Sequence, residues 1–220
     1  MIKAVIFDLD GVLIDSAALV VKTRREVLAS HGVDIDDVPD PHEQGHMGSS
    51  TKNILAAVKQ HLDVSIDEKA YSDNFTEKIR KGLMDSNVTV DPALLDFLAD
   101  LKEHDVTCAI ATASRSGSLQ VKMDILKIQN YFKTMVTADD VSAHKPAPDL
   151  YLEAIKRLSL QPSECIVIED TSAGIASGVA AGCKVIGITK YSSHKDNLPN
   201  TLLTIDSWDE ISADYVTSID

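Results

Sequence analysis

Hydrophobic positions along the chain follow two periods, and the two alternate. Short apolar runs occur at 4–7, 106–111, 166–168 and 185–188, with a weaker one at 134–136. Runs this short, bounded by polar turns, predict strands buried on both faces. Between the later runs, apolar residues fall at helical spacing. Leu94, Leu95, Leu98 and Leu101 form one stripe, led in by Asp91 as a cap and Pro92 as the first helical residue. Further helices are predicted over 116–126 and over 148–158, where Leu150, Tyr151, Ala154, Ile155 and Leu158 share a face. A small-residue-rich helix over 172–181 is stopped by Gly182. Strands alternating with helices predict an α/β fold, a parallel sheet with helices on both faces.

The segment 16–84 breaks this rhythm. It carries no convincing strand and three helical patterns, at 17–30, 50–61 and 67–83. The first is ended by His31 and Gly32, and Tyr71, Phe75, Ile79 and Leu83 repeat along the third. The division predicted is a discontinuous α/β core, 1–15 and 85–220, with an inserted helical unit at 16–84.

Composition narrows the picture. With 220 residues, 44% of them apolar, the chain fits one large domain or two small ones. The formal charge is −13, from 21 basic and 34 acidic residues. That balance argues against nucleic acid and anionic membranes as partners. No run approaches the ~18 apolar residues of a membrane span. A chain opening directly into a strand predicts no cleavable signal peptide. Cys108, Cys165 and Cys183 fall in or beside core strands, with no paired-cysteine motif, which predicts reduced thiols and a cytoplasmic setting.

Candidate chemistry clusters at the strand ends, where open parallel sheets bind ligands. The first run closes on Asp8, Leu9, Asp10 and Gly11. Two carboxylates at one turn repel unless a proton or a hard cation such as Mg²⁺ offsets them. One could then act as nucleophile and the other as proton carrier; the plainer reading is a pair of helix-capping aspartates. A second acidic pair, Glu169 and Asp170, ends the run 166–168. Thr112, Ala113 and Ser114 end the run 106–111 and lead into a helix, a natural anion site or an ordinary hydroxyl cap. Lys145 stands in a proline-rich loop with Pro146 and Pro148.

In this order the four segments resemble the haloacid dehalogenase superfamily of aspartate-nucleophile phosphotransferases, over essentially the whole chain. The subgroup of β-phosphoglucomutases, phosphoglycolate phosphatases and sugar-phosphate phosphatases is the most similar. The resemblance implies a Rossmann-like core with a helical cap over the catalytic face. It implies Asp8 as nucleophile and Asp10 as acid and base, its backbone carbonyl also facing a Mg²⁺ ion. Asp170 would complete the metal shell, with Glu169 assisting directly or through water. Thr112, Ala113, Ser114 and Lys145 would hold the phosphoryl group. Arg115 would extend that pocket or lie on the surface. His46 and Ser49, in a glycine-bearing loop before the second cap helix, would contact the substrate or form a simple turn.

The chain also departs from the mutases in this family. Val20 stands where they carry a histidine, and the loop Met47–Ser50 holds no arginine. Both departures favour hydrolysis. Asp10 argues against dehalogenation, because dehalogenases lack a second aspartate there. The expectation is a Mg²⁺-dependent phosphatase of a small phosphorylated metabolite, monomeric or weakly dimeric. The alternatives are a phosphosugar isomerase and a catalytically silent binding protein on the same fold.

Overall fold

The computed structural model describes residues 1–39, 50–86, 88–191 and 198–219. Six parallel strands form one sheet in the order β3-β2-β1-β4-β5-β6. They are β1 (Ala4–Phe7), β2 (Thr107–Ala111), β3 (Phe132–Val136), β4 (Cys165–Glu169), β5 (Lys184–Ile188) and β6 (Leu203–Ile205). The helices are α1 (Ala17–Ala29), α2 (Thr51–Leu62), α3 (Glu68–Asp85), α4 (Pro92–Glu103), α5 (Ser116–Leu126), α6 (Asp149–Leu158), α7 (Ser172–Ala180) and α8 (Ala213–Ser218). β6 and α8 are additions to the sequence-based expectation. β6 spans three residues on the sheet edge and is only half-buried, so it carries no continuous apolar run.

Alternation along each strand builds two cores. Val5, Phe7, Ile110, Ile166 and Ile168 face a layer made by α4, α5 and the Trp208 region. Ala4, Ile6, Ala109, Ala111 and Val167 face α6 and α7. Side chains of successive strand residues point to opposite faces, so a strand apolar throughout must be covered on both. Phe7 lies among Phe97, Phe132 and Trp208, with ring centroids 5.9–6.4 Å from its own.

Between β1 and β2 the chain makes α1, α2 and α3, which share a smaller cluster of Val27, Leu28, Ile54, Val58 and Tyr71. This insert is not a separate ball. Val20, Ile79 and Leu83 belong to the main core. The capping chemistry is local: the side chains of Ser50 and Asp67 accept hydrogen bonds from Asn53 N and Ala70 N at the starts of α2 and α3. Among the described residues no helix is long and apolar enough to cross a membrane.

Candidate active site

β1, β2 and β4 are neighbours in the sheet, so their carboxyl ends deliver Asp8, Thr112 and Glu169 to one place. Asp8 is anchored by its own N–H, which donates to Ile168 O at 3.0 Å. Gly11 turns the chain away with φ +85, a backbone region that favours glycine. The close approach of Asp170 adds a second reason for glycine. A Cβ on Gly11 would lie 1.9 Å from Asp170 Oδ2. Glu169 is seated in the same way against Gly174, whose added Cβ would fall 1.7 Å from its Oε1.

Lys145 is the hub of this group. Its Nζ donates to Asp8 Oδ1 at 2.7 Å, to Glu169 Oε1 at 2.6 Å and to Ala111 O at 3.3 Å. The lysine is 2% exposed, and the ring of Tyr151 lies 5.0 Å from Nζ. Burial disfavours the ammonium charge, but Asp8 and Glu169 outweigh it and hold Lys145 protonated above its ordinary value. Burial pushes the Asp8 carboxyl up to about 7, against the pull of Lys145 and with a further push from Glu169. Burial also raises Asp170 well above the usual carboxylate range, helped by Glu169 and Asp8. For Glu169 burial is again the largest influence. Lys145, Thr171 and Tyr151 together overcome it and bring the carboxyl below its ordinary value.

Asp8, Glu169 and Asp170 offer carboxylate oxygens within 4.8 Å of one another. Three buried carboxyl groups at one point repel unless protons or cations offset them, and an all-oxygen donor set suits a hard divalent cation. Among the described residues Asp170 Oδ1 is buried without a hydrogen-bond partner, which fits a ligand position. Glu169 differs. Its Oε1 accepts from Lys145 and from Tyr151 Oη at 2.9 Å, and its Oε2 from Asp170 N, Thr171 N and Thr171 Oγ1 at 2.9–3.0 Å. Glu169 is thus a tether for Lys145 and for the turn carrying Asp170.

Asp10 belongs to a separate set of contacts. Ser16 Oγ donates to its Oδ1 at 2.5 Å, and Ser114 Oγ and Lys122 Nζ donate to its Oδ2 at 2.8 and 2.5 Å. Burial opposes ionisation, but Lys122 and the two serines outweigh it and hold the carboxyl below its usual range. Sequence reasoning missed Lys122. The available signal was a lysine on the same helix face as Leu119, Met123 and Leu126, where α5 turns inward.

Thr112 is buried and accepts from Ser114 N at 3.0 Å, so the Thr112–Ala113–Ser114 turn is preformed. It lines a cavity between sheet and insert that also holds Asp8, Asp10, Arg115, Val20 and Arg24. Arg115 spans this seam. It donates to Asp139 Oδ1 at 2.6 Å and to Ser72 Oγ at 3.2 Å, and lies 3.1 Å from Glu68. Val20 lines the cavity as an apolar side chain. One turn further along α1, however, Arg24 also lines this cavity, a cationic residue that reading Val20 alone did not foresee. His46 and Ser49 lie outside the described residues.

The chain matches the family model of haloacid dehalogenase-like hydrolases over residues 5–188, and it belongs to that family. It is 32% identical over 186 residues to a fructose-1-phosphate phosphatase of Escherichia coli (strain K12), covering 83% of this chain and 94% of that protein. It is 33% identical to hexitol phosphatase A of the same organism, covering 84% and 82%. The fold is shared with a β-phosphoglucomutase from Clostridium difficile, at 24% identity and a TM-score of 0.80 over 99% of this chain and 96% of that one. The named phosphatases agree with the chain being a phosphoric monoester hydrolase.

Proposed function

We propose that the chain is a Mg²⁺-dependent phosphatase of small phosphorylated sugars, working through an aspartyl-phosphate on Asp8. The observation that carries this reading is Asp8 itself. It is a buried carboxylate at a strand end, 2.7 Å from a buried lysine and beside an Asp170 oxygen that has no hydrogen-bond partner among the described residues. Asp8 would attack phosphorus and displace the alcohol, whose oxygen would take the proton carried by the protonated minority form of Asp10, which Lys122 otherwise holds ionised. Water would then attack the aspartyl-phosphate, and Asp10 would take the proton back. Lys145, Thr112 and the backbone of Ala113 and Ser114 would bind the phosphoryl oxygens. Mg²⁺, held by Asp8, Asp170 and the Asp10 carbonyl, would supply charge neutralisation on the phosphoryl group.

The insert 16–84 would act as a cap. Its α1 and α3 form the cavity wall opposite the strand ends, which keeps bulk water from the phosphoryl group. The relatives named as sugar and hexitol phosphatases support a sugar phosphate as substrate. Val20 offers no hydrogen bond with which to reorient a bisphosphate, so hydrolysis is favoured over isomerisation. The test is phosphate release from fructose 1-phosphate and from an aryl phosphate, with and without Mg²⁺, beside a β-glucose 1-phosphate isomerase assay. Turnover in wild type that Asp8→Asn and chelation each abolish supports the reading. Turnover surviving both, or isomerisation exceeding hydrolysis, overturns it.

A further inference from the structure

We propose that Lys122 is a positioning residue for the reaction, fixing the Asp10 carboxylate that lines the cavity. The inference rests on the reading of Asp10 as the proton-transfer group. Lys122 is 0% exposed and sits on the inward face of α5 beside Leu119, Met123 and Leu126. An apolar side chain would suit that position, because burying an ammonium costs several kcal/mol unless an anion accompanies it. Among the described residues its one ion-pair partner is Asp10, at 2.5 Å, and its other polar contact is Ser114 Oγ at 3.0 Å. Ser114 in turn donates to the same Asp10 oxygen. Lysine, serine and aspartate therefore form a closed triangle centred on Asp10 Oδ2.

The three donors to Asp10 differ in where they are rooted. Ser16 precedes α1 at the first joint of the insert, and Ser114 lies in the Thr112–Ser114 turn that lines the cavity. Lys122 is rooted in the middle of a core helix and does not line the cavity. It cannot touch a substrate there, so its effect must pass through Asp10. A charged donor fixed in the core holds the carboxylate in one orientation whatever the insert does.

The test is a double-mutant cycle of Lys122→Met and Asp10→Asn, read in kcat, KM and melting temperature with an aryl phosphate. Lys122→Met should lower kcat roughly tenfold or more, up to the ~10²–10⁴-fold that general acid–base catalysis contributes in full, at little change in KM. In the Asp10→Asn background the same substitution should change kcat by less than about twofold, since a partner already lost cannot be lost again. Asp10→Asn should lower the melting temperature by leaving Lys122 without its anion, and adding Lys122→Met should restore it. Lys122→Gln, which keeps a donor, should retain more kcat than the Met variant, and it replaces Met in the cycle if that variant does not fold. Equal losses of kcat in both backgrounds, unchanged kcat in Lys122→Met, or no recovery of melting temperature would overturn the proposal. An inactive wild type would instead overturn the phosphatase reading, leaving the melting arm to test the pair.

Discussion

Lys145 Nζ lies 2.6 Å from Glu169 Oε1 while also holding Asp8, so one ammonium neutralises two carboxylates on adjacent strands. Removing the lysine leaves both anions buried. Removing one anion leaves the lysine still paired. Lys145→Met should therefore destabilise by about 3–5 kcal/mol, the usual cost of breaking a buried pair, and abolish turnover. Glu169→Gln should cost clearly less, since Asp8 and the Ala111 carbonyl still receive Nζ. Denaturant midpoints of the two variants check the order; a Gln variant as unstable as the Met variant would contradict it.

Gly11 and Asp170 supply a second prediction. A methyl group at position 11 meets Asp170 Oδ2 at 1.9 Å and must also adopt φ +85. Backbone strain of this kind costs on the order of 1–3 kcal/mol. Gly11→Ala should lower stability by that amount and weaken Mg²⁺ binding by displacing Asp170. Calorimetric titration with Mg²⁺ separates the two effects, because a strain confined to the backbone would leave metal affinity unchanged.

The acidity of Asp8 predicts how pH acts on the metal-free protein. Its folded value of about 7 lies above the ordinary 3.8, so the native state holds the proton more tightly than the unfolded chain does. That contribution is fully present below the unfolded value and is lost as pH rises through about 7. Metal-free stability should fall between pH 5 and 8, with a slope of at most about 1.4 kcal/mol per pH unit for this one group. Asp8→Asn should flatten the fall, and Mg²⁺ should stabilise wild type more at pH 8 than at pH 5. Histidines titrate in the same window, so the Asp8→Asn difference is the quantity to measure, from urea midpoints.

Much of the candidate site was legible because its residues sit where elements end. Asp8, Thr112 and Glu169 each follow or close an apolar run, and a parallel sheet brings such ends together. The partners of those residues were less visible. Tyr151 read as part of an apolar stripe, and only the packing of α6 against the sheet brings its hydroxyl to Glu169. Lys122 and Arg24 were not singled out: Lys122 shares a helix face with Leu119 and Leu126, but only the packing of α5 and α1 shows that either charge is buried. Ser16 gains its role only through the turn that returns it to Asp10. The strand β6 escaped because a short edge strand, half-covered, needs no continuous apolar run.

Arg24 carries the last prediction, on substrate choice. It is 6% exposed, lies one turn beyond Val20 on α1, and lines the cavity opposite the strand ends that hold Asp8 and Thr112. In the proposed mechanism Lys145 and the Thr112 turn bind the phosphoryl group, which would leave a cationic residue on the insert side to meet the leaving group. Sugar hydroxyls would accept hydrogen bonds from a guanidinium, whereas an aryl leaving group asks for little recognition. Removing a hydrogen bond to a charged donor costs about 1.5–3 kcal/mol, or roughly 10- to 150-fold. Arg24→Met should lower kcat/KM for fructose 1-phosphate by that factor, chiefly through KM, while changing the aryl phosphate by only about threefold or less. Melting curves must show the variant folded, since the arginine is buried. Equal losses on both substrates would place Arg24 in the packing of the insert, and selectivity would then have to come from other residues of the cavity wall.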